Sequence, residues 1–141
     1  MGAGMTDHDD VEAANAGFYS AFEAADLDAM RALWLDDPGT LCIHPGQVPV
    51  RGTRDIDRSW ALLMANTAYI QFFLTDVEIS VLPEAATVTC TENVLTGAED
   101  SRWFGGARVE ATNVFVRRPD GWRLWVHRAT PVLSGENDEE G

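Results

Sequence analysis

Apolar residues in the first part of the chain recur at steps of three and four. Val11, Ala14, Phe18, Phe22 and Ala25 share one face, which predicts an amphipathic helix beginning near Val11. A second, shorter helix is predicted in "DLDAMRALW", where Asp26 can cap the start and Leu27, Met30 and Trp34 make the apolar stripe; it stops at "DDPG". After the strand-like "TLCIH" and a Pro/Gly-rich excursion through Arg51, the run "GTRDIDRSWALLMAN" predicts a third helix, with Ile56, Trp60 and Leu63 at i, i+4 and i+7.

The second half changes period. "YIQFFLTDVEISVL", "ATVTCTENVLTG", "RWFGGARVEATNVFVRR" and "GWRLWVHRATPV" are rich in Val, Thr and aromatics, and "LPEAA" and "RPDGW" supply tight turns. Four long strands with short connections predict an antiparallel meander. Helices first and strands later give an α+β layer, three N-terminal helices on a curved, mostly antiparallel sheet. The pair Gly105 and Gly106 inside a strand predicts a bulge or bend there.

Alternation then sorts each strand into faces. Ala86, Val88, Cys90, Glu92 and Val94 share one row, so Glu92 is its polar exception; Asn113 is likewise the exception among Val109, Ala111 and Phe115. Strict alternation in the last strand puts Trp122, Leu124, Val126 and Arg128 on one side and Arg123, Trp125, His127 and Ala129 on the other. Neither side is plainly solvated. With no helix left to cover the outside, a second copy is the expected cover, a homodimer through the outer sheet face.

A chain of 141 residues is about one domain's worth. The domain is expected over 8–133, after a disordered or vector-derived leader over 1–7 with Met5 a second possible start, and before a flexible acidic tail over 134–141. The net charge of −13 is concentrated at the ends, which argues against nucleic acid or an anionic membrane as a partner. No apolar run approaches the roughly 18 residues of a membrane span, and no export signal opens the chain, so a cytoplasmic protein is expected. Cys42 and Cys90 lie in strand-like runs without metal-ligand spacing and read as buried free thiols.

All ten basic residues are arginine, which removes Schiff-base chemistry, pyridoxal phosphate attachment and a P-loop, since each needs an amine. No metal site is expected, because the three histidines are far apart and none shows a carboxylate at ligand spacing. Among the remaining residues His44, ending "LCIH" ahead of Pro45, suits proton transfer, since an imidazole in a partly desolvated cleft titrates near neutral pH. Its competing reading is a strand-end hydrogen bond. Glu92 and Asn113 each need a partner, a rim position or a ligand, with an ion pair from Arg108 or Arg128 the alternative for Glu92. Arg128 could instead hold a ligand's carboxylate or enolate, His127 depends on which strand face lines the interior, and Trp60 is placed to stack on a flat ligand.

The order of elements, carried by "FYSAFEAADLDAMRALWLDD", "CIHPG", "RGTRDIDRSW" and "ATNVFVRRPDGWRLWVHRATP", resembles the SnoaL-like polyketide-cyclase branch of the nuclear transport factor two-like, cystatin-like cone superfamily. The resemblance implies a cone whose open end is a pocket between the helices and the concave sheet. Its members include ketosteroid isomerases, aldol cyclases, dehydratases and epoxide hydrolases beside non-catalytic modules, so the fold alone selects no function. The ketosteroid-isomerase branch carries its base just after the first strand, which implies His44 here. A tyrosine on the first helix and an acid on the third long strand hold the oxyanion there, implying Tyr19 or its neighbour Phe18, and Asn113. The motif histidine, small residue, serine, proline near the chain's end reads Arg128, Ala129, Thr130, Pro131 in this sequence. The Asp-Arg-Asp constellation of the epoxide hydrolases is not found.

Two functions remain open. One is a cofactor-independent acid–base enzyme, an isomerase, dehydratase or aldol-type cyclase, acting on a small, largely apolar carbonyl compound, with His44, Asn113 and Tyr19 catalytic and Phe18, Trp60, Glu92, His127 and Arg128 around the ligand. The other is a ligand-binding or dimerisation module whose cone could be plugged by Phe18, Phe22, Phe73 and Trp60.

Overall fold

The computed structural model describes residues 6–97 and 104–132, with the backbone alone at 104 and 105. Trp103, Arg102 and the ends over 1–5 and 133–141 lie outside the described residues. Helix α1 (Asp7–Glu23) starts inside the stretch assigned to the leader: Thr6 accepts from the Asp9 amide, the Asp9 carboxylate answers the Thr6 amide, and Asp7, Asp9 and Asp10 face the positive end of the helix dipole. It ends earlier than its apolar stripe suggests. Ala25 turns left-handed at φ 53°, and the amides of Ala25 and Asp26 close onto the carbonyls of Phe22 and Ala21. Asp26 then caps α2 (Leu27–Leu33) through the Ala29 amide, as expected. Strands β1 (Leu41–Ile43) and β2 (Val50–Arg51) precede α3 (Thr53–Ala65), and Gly52, at φ 87°, makes the entry to α3 that a Cβ would strain.

The meander is β3 (Tyr69–Val81), β4 (Ala85–Gly97), β5 (Phe104–Arg118) and β6 (Gly121–Pro131). It forms one mixed, open, curved six-stranded sheet in the order β2-β1-β6-β5-β4-β3, antiparallel except where β1 runs parallel to β6. The three helices pack on its concave side, where Val11, Phe18, Met30, Ile56, Trp60, Val88, Phe115 and Leu124 are almost wholly buried. Among the described residues no helix is long and apolar enough to cross a membrane.

No bulge interrupts Gly105–Gly106: the β4–β5 ladder runs through both residues in unbroken register. The irregularities lie elsewhere. Between Thr75 and Glu78, β3 carries one residue more than β4, with Asp76 at φ 53°. In β6, Val114 opposes Val126 while Phe115 opposes Leu124, so Trp125 is an extra residue. That bulge corrects the reading of the last strand. Alternation reverses across Trp125, so Trp122, Leu124, His127 and Ala129 are all buried inward, whereas Arg128 is exposed. Neither face of β6 shows a solvated pattern in the sequence because the strand consists of two halves of opposite phase.

Candidate active site

A cavity of about 310 Å³ opens between α1, α3 and the concave face of β3, β4 and β5. Its walls are apolar: Phe18 and Phe22 from α1, Trp60 and Leu63 from α3, Ile70 and Phe72 from β3, Val94 from β4, and Ala107 and Val109 from β5. Four polar side chains reach its deeper surface, Tyr19, His44, Glu92 and His127, while Gln47 and Thr96 are exposed at the rim.

Each polar group is held by a specific neighbour. The Tyr19 hydroxyl donates to Glu92 Oε2 at 2.6 Å. Burial, partly offset by that bond, pushes the Glu92 carboxyl up to about 7, and burial followed by the Glu92 charge pushes the Tyr19 phenol well above its usual range. Behind them, Asn113 Nδ2 donates to Asn15 Oδ1 at 2.8 Å and, at 3.4 Å, to the Tyr19 oxygen, while Asn113 Oδ1 lies 2.6 Å from Nδ1 of His127. Desolvation, with a smaller contribution from His44, lowers His127 to about 3, so its ring is neutral. His44 Nε2 lies 3.0 Å from Ser59 Oγ, whose hydroxyl donates to the Ile56 carbonyl at 2.8 Å; burial lowers the His44 pKa also. Trp60 packs edge-on against Phe18, Phe22 and His44, with centroids 5.4, 5.0 and 4.8 Å away.

The sequence profile of the SnoaL-like domain family matches residues 11–133. The chain belongs to the SnoaL-like family. Among solved structures, a candidate dehydratase of the NTF2-like family from Streptomyces avermitilis is 46% identical, with 90% of this chain and 97% of that one covered and a TM-score of 0.86. A protein from Thiobacillus denitrificans, named as a candidate association domain of a calcium/calmodulin-dependent protein kinase type II, is 31% identical over 86% of this chain and 94% of that one, with a TM-score of 0.76. An NTF2-like protein with a cystatin-like fold from Novosphingobium aromaticivorans, at 20% identity and a TM-score of 0.74 over 95% of this chain and 87% of that one, shares the fold. No curated protein matches.

Within this SnoaL-like cone, Tyr19, Phe18, His44, Trp60, Glu92 and His127 come together on one cavity. The question of Phe18 or Tyr19 does not divide, because both are buried and both line it. Asn113 is placed one layer back: it is fully buried behind the lining and its amide is spent on Asn15, Tyr19 and His127. Arg128 must be taken out of the pocket set, since the Trp125 bulge turns it to the exposed side opposite Thr112. The ion pair considered for Glu92 is replaced by the Tyr19 hydroxyl; Arg108 stands opposite Asn93 on the outer face. Phe73 does not plug the cone either. It is exposed on the outer face, and Phe72 occupies the inner position.

Asn15 and Ser59 were not singled out from the sequence. Asn15 had a usable signal, a polar residue one helical turn after Val11 and one before Tyr19, the same kind of exception that marked Glu92 and Asn113. Ser59 had none, since a serine beside an apolar stripe is ordinary helix surface. One spacing statement is also corrected. His8, Asp9 and Glu12 offer ligand atoms within 4.8 Å of one another at the exposed start of α1, but exposed acidic groups commonly cluster so without holding an ion.

Proposed function

We propose that the cone is the active site of a cofactor-independent acid–base enzyme acting on a small, largely apolar carbonyl compound, with dehydration the favoured reaction. The observation that carries this reading is that a neutral imidazole, His44, and a carboxyl pushed up to about 7, Glu92, line one apolar cavity. The likeness to the candidate dehydratase from Streptomyces avermitilis supports the choice among acid–base reactions.

The step balances without a further reagent. His44 Nδ1 takes the proton from a carbon next to the carbonyl, and the electron pair expels a hydroxyl from the neighbouring carbon. That hydroxyl takes the Glu92 carboxyl proton and leaves as water. One proton then returns from imidazolium to carboxylate through solvent at the mouth. Tyr19 holds Glu92 in place, and Phe18 and Trp60 pack on the ligand skeleton.

The test is turnover of a panel of cyclic β-hydroxy ketones, followed by the ultraviolet absorbance of the conjugated product. His44→Ala and Glu92→Gln are each expected to lower kcat by about 100-fold or more. Absence of turnover across the panel, or an unaffected His44→Ala variant, would overturn the reading.

A separate observation bears on assembly. Tyr69 and Phe73 of β3 and Trp125 of β6 remain exposed, which supports a homodimer through the outer sheet face. Light scattering after size exclusion tests it, with Phe73→Glu expected to give monomers; a wild-type monomer at tens of micromolar would refute it. The buried free thiols Cys42 and Cys90 suit the reducing cytoplasm proposed as its setting.

A further inference from the structure

Hydrogen-bond accounting around the cavity fixes more than the identity of its residues. With Glu92 ionised, as at pH 8, the Tyr19 hydroxyl gives its single hydrogen to the carboxylate, so its oxygen can only accept a bond from Asn113. The Asn113 group facing Tyr19 and Asn15 is therefore the amide NH₂, and the group facing Nδ1 of His127 is the carbonyl oxygen. A carbonyl cannot donate. Nδ1 of His127 must then carry the ring hydrogen, which leaves Nε2 with a bare lone pair and no partner among the described residues.

On the other wall, Ser59 Oγ and Cys42 Sγ stand 3.0 and 3.7 Å from Nε2 of His44. With the Ser59 hydrogen on the Ile56 carbonyl, its oxygen is free to accept from Nε2 of His44. Nε2 carries the hydrogen, and Nδ1 is the bare nitrogen. Among the described residues, and with Glu92 ionised as it is at pH 8, no deep side chain offers a hydrogen to the two lone pairs. The Trp60 indole N–H is fully buried beside the Cys42 thiol, and the Thr67 hydroxyl is spent on the Leu63 carbonyl. Gln47 and Thr96 stand at the rim. The deep cavity is thus rich in acceptors and poor in donors.

We propose that the cone selects a hydroxylated compound, an apolar skeleton with at least two O–H donors, one received by Nδ1 of His44 and the other by Nε2 of His127. This rests on the reading of the cone as a ligand site and concerns binding before turnover, since the single lone pair on Nδ1 of His44 must release the hydroxyl before it can act as the base. A plain ketone brings only acceptors and leaves both nitrogens unpaired, which costs affinity. A hydroxylated compound pairs them, and its apolar frame covers Phe18, Phe72 and Val109. The volume of about 310 Å³ is at the small end of ligand sites, roughly 300–1,000 Å³, which limits the frame to one or two rings.

The experiment compares diols, their dimethyl ethers and the matching diketones on a decalin skeleton, with several hydroxyl spacings, against the full chain at pH 8. Dissociation constants are read from tryptophan fluorescence and calorimetry. At least one diol is expected to bind about tenfold or more tightly than its ether and diketone. Equal or tighter binding of the ethers or ketones, or no binding by any diol, overturns the proposal. Nitrogen-15 NMR of the ligand-free protein provides an independent arm: His127 is expected as the Nδ1–H tautomer and His44 as the Nε2–H tautomer, and the opposite tautomer in either ring overturns it. Ser59→Ala removes the acceptor that fixes His44 and is expected to shift that ring toward a tautomer mixture and narrow the diol preference. The diol preference needs no turnover, so an inert protein that prefers diols would refute the enzymatic reading alone, and an active one without the preference would refute this inference alone.

Discussion

Replacing Glu92 by glutamine tests the electrostatics of the cone directly. Burial lifts this carboxyl from 4.5 to about 7, a difference of about 2.5, with the Tyr19 hydroxyl opposing the rise. Because the folded-state value lies above the unfolded one, the group favours the native state most below pH 4.5, and this contribution is lost as pH rises to about 7. At about 1.4 kcal/mol for each tenfold change in proton affinity, the loss amounts to roughly 3 kcal/mol. Glutamine keeps the shape and an acceptor for Tyr19 but does not titrate. The stability of Glu92→Gln relative to wild type should therefore improve by roughly 3 kcal/mol between pH 4.5 and pH 8. Urea unfolding of both proteins across that range measures it, and the difference between them cancels every group they share. A flat difference would mean that the carboxyl is solvated in the native state, which would remove the buried acid from the proposed mechanism.

His127 should show the opposite sign. Its folded-state value of about 3 lies below the usual 6.5, so its contribution is present above pH 6.5 and lost as pH falls toward 3; His127→Gln should flatten that acid limb of the urea stability profile. Cys42 and Cys90, pushed up to about 12 and about 11 mainly by burial, should stay unmodified by iodoacetamide at pH 7.5 in the native protein and react in urea, as mass spectrometry would show. Asp26→Ala removes the cap on the Ala29 amide and should cost about 1 kcal/mol, read as a fall in melting temperature of about 3 °C.

The elements were legible because each obeys a local rule. The 3.6-residue stripe gave α1 and α3, the Asp26 cap gave the start of α2, and β3 to β6 begin and end within two residues of the runs that predicted them. Pocket residues were legible where a polar side chain broke an apolar row, as Glu92 does in β4. What the rows do not carry is which polar residues meet. Nothing local says that Glu92 would find Tyr19, 73 positions away, rather than an arginine, or that Asn113 would be covered by Asn15, 98 positions away. Those pairings depend on how α1 crosses the sheet, a global property. The Trp125 bulge was illegible for a related reason: it falls where the β6 edge changes partner from Trp34, bridged at Leu124, to β1, which begins pairing at Val126, and those segments lie some 80 or more positions away in sequence.

That change of partner bears on chemistry as well as on fold. In an unbulged β6, a strand that buries Trp122 and Leu124 would also bury Val126 and Arg128, leaving His127 on the convex face. Val126 would then stand opposite Asn113 and the cone would hold the Arg128 guanidinium opposite Ala111, a buried charge that costs several kcal/mol of desolvation even with Glu92 in reach. With one extra residue at Trp125, the strand keeps its large apolar anchors at one end and delivers a neutral imidazole to the cavity at the other, opposite Asn113 and in reach of its carbonyl. The bulge therefore changes the inward group from one that can only donate to one whose remaining nitrogen can only accept. An irregularity of one residue in the last strand sets both the face of the sheet and the hydrogen-bonding polarity of the site.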